Sequence, residues 1–272
     1  MKSIERAVIP AGGMGTRMQP ISTVVPKELL PIGTRPMIEF AVAEAALADL
    51  REVFLVIGPE KTLIPRYFEM RQEEGKFAGI RFRTVLQPEP LGLADAIERC
   101  REWLEDEPFA VLLPDNVILA PEYNFSSLLR TYQTCGQDVV GVIELQHQES
   151  GRWGNAGRID YDELDDQTVR IRRLYSKEKG ALQIEPGGTL LRTCGRYVCH
   201  SDIFSFFDEV RPRVSGEFDE VPVYQEVVRR RGLIGRRIPM PLLDAGNPLG
   251  YLTAQHLVYL REAAGAETIE EE

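Results

Sequence analysis

Histidine is scarce in this 272-residue chain: His147, His200 and His256 lie far apart. Cysteine is nearly as scarce, and Cys100, Cys135, Cys194 and Cys199 form no CxxC pair. A zinc site built from these two residue types is therefore not expected. Four scattered cysteines fit a reducing compartment, the cytoplasm. No run reaches the roughly 18 apolar residues of a membrane span, and MKSIER leads into a strand without an apolar signal segment. Positive charge is in deficit, with 32 Lys and Arg against 42 Asp and Glu and a formal net charge of -10. A general nucleic-acid binder needs a basic stripe, so a polymer partner is not expected. An anion can still bind where a local site overrides the global field.

What is present is a globular composition, 43% hydrophobic and 27% charged. Short apolar runs at 6–10, 52–57, 80–86, 109–113 and 139–145 read as strands. Between them, PMIEFAVAEAALADL opens a helix at Pro36, and 61–74, 93–104 and 125–134 carry helical periodicity. Such alternation predicts an α/β fold with a doubly wound, mostly parallel sheet covered on both faces. After Gln148 the rhythm changes to hairpins around an acidic turn, a β-rich insertion over 148–193 within a single domain spanning 1–272. CGRYVCH reads as a further strand, SDIFSFFDEV as a helix capped by Ser201, and GEFDEVPVYQEVVRRRG as another helix. LIGRRIPMPLLDAGN returns as strands, 249–262 closes as a helix, and AETIEEE is expected to fray.

The first strand runs into AVIPAGGMGTR. Gly12, Gly13 and Gly15 can turn successive N–H groups toward one point, an anion nest at the carboxyl end of a parallel strand. There is no GK[ST], and Met18 stands where GxGxxG needs its third glycine, so neither a P-loop nor a dinucleotide fingerprint is present. On glycines alone, ligand binding and tight-turn packing weigh equally. Arg17 follows two residues on, with a fork suited to phosphate oxygens. Lys27 sits in VPKELLP, framed by Pro26 and Pro31. It reads as a solvent-accessible loop charge whose removal costs little stability. Asp115 in LLPDN and Asp244 in PLLDAGN both end apolar runs, where an aspartate serves either as a turn residue or as a Mg2+ ligand.

PAGGMGTRMQP, PKELLPIGTRPMIEF, PLGLADAI, LLPDN, GRYV and LLDAGNPLGY together resemble the sugar-1-phosphate nucleotidyltransferases, most closely the bacterial branch that makes UDP-glucose and pyrophosphate from UTP and glucose-1-phosphate. The resemblance covers most of the chain and implies a Rossmann-like nucleotidyltransferase fold. It further implies that Gly12, Gly13 and Gly15, with flanking Ala11 and Thr16, hold a triphosphate. Arg17 and Lys27 then act on its charge, and Asp115 and Asp244 bind the catalytic Mg2+. Gln87 and Gly92 occupy the place of the pyrimidine pocket, where a glutamine amide can bond to an imide's donor and acceptor together, which suits uracil or thymine better than cytosine. Counting back from GRYV puts Glu178 and Lys179 at the sugar-phosphate motif of the insertion. That segment, SKEKG, lacks the family's proline, so Lys177 is an alternative. QPEPLGLADA also resembles the thymidylyl branch, and Leu93-Ala94 lies where the uridylyl branch carries glycine-histidine, so thymine stays open beside uracil. A cytidylyltransferase and a non-catalytic nucleotide-sugar sensor are further alternatives. No Ser/His/Asp machinery is evident, and none is needed, because a phosphate nucleophile is already ionised. Small-molecule substrates and a homo-oligomeric state are expected; a membrane partner is not.

Overall fold

A computed structural model describes residues 3–120, 123–147, 157–175 and 184–267. In chain order, its first half builds β1 (Arg6–Ala11), β2 (Pro31–Ile32), β3 (Arg35–Pro36), α1 (Met37–Leu47), β4 (Glu52–Ile57), α2 (Leu63–Glu73), β5 (Arg81–Leu86), α3 (Leu93–Glu98), α4 (Arg101–Leu104), β6 (Phe109–Leu112) and β7 (Asn116–Ile118). Its second half adds α5 (Ser126–Cys135), β8 (Val139–Gln146), β9 (Ile159–Glu163), β10 (Thr168–Leu174), β11 (Thr189–Cys199), α6 (Ile203–Val210), α7 (Glu220–Arg230), β12 (Leu233–Arg237), β13 (Leu242–Asp244) and α8 (Pro248–Glu267).

Among the described residues these strands form a nine-stranded sheet of order β5-β4-β1-β6-β11-β8-β12-β10-β9. Only β11 and β10 run against the rest. The mostly parallel mixed sheet expected from the sequence is thus the one that forms.

Alternate residues of the apolar runs serve two different cores, as the pleat requires. Ala7, Ile9, Val53, Leu55, Ala110 and Leu112 pack with α1, α2 and α5. Val8, Phe54, Val56, Phe109 and Val111 pack on the other face with α3, α6 and α7. Two covered faces explain why these strands lack polar alternation. Each buried Val, Leu, Ile or Phe contributes about 1.5–3 kcal/mol relative to exposure. A third, smaller core lies where β7 pairs antiparallel with β13 and α8 closes over Val117, Leu119 and Leu243.

Two local expectations change, and a third, the hairpin around the acidic turn, is what forms. The helix expected over 93–104 divides into α3 and α4, breaking at Cys100, whose φ of -97° and ψ of 3° leave the helical range. Ser201 does not cap α6; Asp202 stands at that position without a capping bond, its carboxylate paired instead with Arg231. The acidic turn is a hairpin between β9 and β10, where Asp165 accepts from the amides of Gln167 and Thr168 at 2.7 and 2.8 Å. Through β10–β12 pairing that hairpin extends the edge of the main sheet. Among the described residues no helix is long and apolar enough to cross a membrane.

Candidate active site

β1 ends at Ala11, and the glycines carry the chain over the carboxyl edge of the sheet into a single 3-10 turn, Thr16–Met18. Gly15 adopts a left-handed φ of 65°, which a side chain would strain. Gly12 is required for a different reason: a Cβ there would lie 2.1 Å from Oε1 of Gln87. The turn is braced from below by Lys61. Its buried ammonium donates to the carbonyls of Ala11 at 2.8 Å and Gly13 at 2.5 Å, and to both oxygens of Glu28 at 3.1 and 3.0 Å. Glu28 follows Lys27 in a later 3-10 turn, Lys27–Leu29, so one side chain joins the glycine turn to the lysine turn.

Lys27 is not the exposed loop charge that the sequence suggested. Its side chain is 13% exposed and its Nζ lies 2.6 Å from Oδ2 of Asp115. Burial opposes its charge, but the neighbouring carboxylates of Asp115 and Glu28 outweigh burial and hold its pKa above the ordinary lysine value. Burial likewise penalises the Asp115 carboxylate, yet Lys27, and then Arg17, hold its pKa well below the usual carboxylate range. Across the site, Nη1 of Arg17 lies 3.4 Å from Oδ2 of Asp244.

The two aspartates meet because β13 pairs with β7, setting Asp244 opposite Asn116. The amide of Ala245 also donates to the carbonyl of Asp115 at 2.8 Å. Gly246 lies against both: a Cβ on it would sit 2.6 Å from Oδ2 of Asp115, 3.1 Å from Oδ1 of Asp244 and 3.1 Å from Nη2 of Arg17. Two carboxylates and a guanidinium therefore converge on one small space. Fully buried Arg196, of the GRYV segment, fixes the turn bearing Asp115. It holds Glu44 of α1 through two bonds of 2.8 Å and donates to the carbonyls of Leu113, Gly195 and Asn116.

Gln87 follows β5 and is buried. Its Nε2 donates to the carbonyl of Gly92 at 3.0 Å and to Asp95 at 2.9 Å. The amide therefore does not offer a donor and an acceptor together, as the sequence suggested; its NH2 is engaged and its Oε1 turns toward Gly12. Gln87, Gly92, Gly12, Gly13, Thr16, Arg17, Lys27, Asp115 and Asp244 all line one cleft of about 770 Å³. Ala11 is buried beneath it, and Gly15 shapes the turn beside it. Glu178, Lys179 and Lys177 lie outside the described residues.

Sequence reasoning missed Lys61, Glu28 and Asp95, which hold the turn and the glutamine in place. It also missed the facing wall, formed by Arg192, Thr193 and Tyr197 of β11 with Glu217, Asp219 and Glu220. These residues carry no local signature. GRYV alone pointed to β11, and its arginine turns inward.

The geometry has counterparts in known proteins. Residues 6–254 match the family model for nucleotidyl transferase. A UTP–glucose-1-phosphate uridylyltransferase of Bacillus subtilis (strain 168) is 29% identical over 275 residues, 93% of this chain and 90% of that protein. One from Pseudomonas aeruginosa is also 29% identical, over 94% of this chain and 96% of its own length. The crystal structure of a UDP-glucose pyrophosphorylase complexed with UDP-glucose matches with a TM-score of 0.83 at 26% identity, covering 95% of this chain and all of that one. UTP-bound UGPase from Acinetobacter baumannii matches with a TM-score of 0.76 at 25% identity, over 94% and 93% of the two chains. With its glycine turn and paired strand-end carboxylates in one cleft, this chain belongs to the nucleotidyl transferase family.

Proposed function

We propose that the protein is a UTP–glucose-1-phosphate uridylyltransferase, forming UDP-glucose and releasing pyrophosphate. The observation that carries this reading is the convergence of Arg17, Lys27, Asp115 and Asp244 beside a glycine turn at one sheet edge. The glycine turn and Arg17 bind the triphosphate, and Lys27 stabilises charge near the α-phosphate. An oxygen of the sugar phosphate attacks the α-phosphorus, and the bond to pyrophosphate breaks in line. The ionised nucleophile needs no base, so the protein's part is to align two anions.

A hard dication fits the donor set. Asp115 and Asp244 offer carboxylate oxygens around the space over Gly246, and Mg2+ takes only one or two protein carboxylates beside phosphates and water. When bound there, Mg2+ supplies charge neutralisation at the reacting phosphates. Without it the two ion pairs cancel, so cation and nucleotide suit the site together.

Oε1 of Gln87, its amide group already engaged, accepts the N3–H of an imide, which favours uracil or thymine over cytosine. The relatives' names favour uracil; glucose-1-phosphate thymidylyl transfer is the second reading. A nucleotide-sugar sensor that had lost catalysis would be free to lose these four charged residues, and all are present. Glu178 with Lys179, or Lys177, is proposed to meet the sugar phosphate from the insertion. The reading carries with it a cytoplasmic, homo-oligomeric enzyme. Pyrophosphate release measured with four nucleoside triphosphates against several sugar-1-phosphates tests it: UTP with glucose-1-phosphate should lead, and a protein inert to every pair would refute it.

A further inference from the structure

The wall facing the glycine turn carries a cation to which the mechanism above gives no task. Arg192 of β11 lines the cleft. Its Nε donates to the carbonyl of Thr193 at 2.9 Å, which orients the guanidinium plane. The β11–β8 register shifts between Thr193 and Tyr197, a bulge of the kind that re-aims side chains at functional edges. Burial draws the pKa of Arg192 below the ordinary arginine value, against the raising effect of Asp244 and, less, of Asp115. The guanidinium shares one cleft with both site carboxylates and with Arg17 and Lys27.

Charge balance gives this position meaning. Among the described residues lining the cleft, the cations are Arg17, Lys27 and Arg192. The first two come from the N-terminal segment and serve the triphosphate. The facing wall otherwise presents Glu217, Asp219 and Glu220, which suit sugar hydroxyls and repel a phosphate. A second anion brought against this wall needs a cation there, and a guanidinium can grip two of its oxygens together.

We propose that Arg192 binds the phosphate of the incoming sugar-1-phosphate and holds it between β11 and the Asp244 carboxylate site. The assignment rests on the nucleotidyl-transfer reading. It deepens that reading by giving the acceptor phosphate a contact on β11 of the main sheet, apart from Glu178 and Lys179.

Arg192→Gln and Arg192→Lys test it, with steady-state kinetics in both directions and melting temperatures as the folding control. Loss of a charge-assisted contact should raise the KM for glucose-1-phosphate roughly ten- to hundredfold in Arg192→Gln. In the reverse direction the KM for UDP-glucose should rise while that for pyrophosphate moves less than about threefold, because only the former carries the sugar phosphate. Arg192→Lys should recover part of the loss. A shift in the UTP and pyrophosphate KM instead would place Arg192 on the triphosphate and overturn the proposal, as would unchanged kinetics in a folded Arg192→Gln. Two unfolded variants would show a structural residue and overturn it too. Wild-type protein that turns over no sugar-1-phosphate would refute the underlying reading itself.

Discussion

Replacing Lys61 with methionine keeps the length of the side chain and removes only its ammonium. In the native protein that group has four acceptors within 3.1 Å, two of them the carboxylate oxygens of Glu28. The side chains of Lys61 and Glu28 are 6% and 1% exposed, so water cannot replace the lost partner. Removing one member of a buried pair costs about 3–5 kcal/mol, most of it from the stranded charge. For a chain of this size that lowers Tm by on the order of 10 °C. The double variant Lys61→Met/Glu28→Leu strands no charge and should regain most of this stability. It should not regain tight use of UTP, because the carbonyls of Ala11 and Gly13 still lack the donor that holds the glycine turn. Thermal unfolding and UTP saturation curves on the wild type and both variants make the test. A single variant within 1 kcal/mol of wild type, or a double variant with wild-type UTP saturation, would refute the brace.

Lys27→Ala should lower turnover by orders of magnitude and also destabilise the fold by a few kcal/mol, since Asp115 is left buried beside no ammonium; calorimetry alongside pyrophosphate release would expose a purely structural or purely catalytic role. Asp115→Asn and Asp244→Asn should each raise the Mg2+ requirement or abolish activity, and equal wild-type rates in EDTA and in Mg2+ would remove the metal assignment from both. Gln87→Ala should weaken UTP use by roughly 1–3 kcal/mol and flatten discrimination between UTP and CTP while leaving the glucose-1-phosphate KM alone; competition assays between the nucleotides read it directly.

Features with a local cause were legible in the sequence. Apolar runs buried on both faces announced β1, β4 and β6, and bare glycines after β1 marked the turn at the sheet edge. Asp115 and Asp244 could be noticed because each ends such a run. What joins them could not, because the β7–β13 pairing links segments far apart in the chain. Lys61 read as the opening residue of a helix, and its value comes entirely from Glu28 and two carbonyls brought in from elsewhere. Gln87 was recognised, but the direction of its amide was not, since that depends on Asp95 in the first turn of α3. Arg192 looked like any polar residue of an antiparallel strand until the fold gave it a cleft.

Arg196 has a consequence for how β11 finds its place between β6 and β8. Sliding the strand by two residues returns every side chain to the same face, so the apolar pattern alone barely opposes such an error. The slip would carry Arg196 roughly 7 Å along the sheet, away from Glu44 and the carbonyls of Leu113 and Asn116. A fully buried guanidinium stripped of these partners is among the costliest defects a core can hold. The arginine therefore works as a register pin, penalising misaligned assemblies that hydrophobic packing would accept. Because residues of β11 and of the Asp115 turn both line the cleft, the pin also helps set the width of a cleft that it does not itself line.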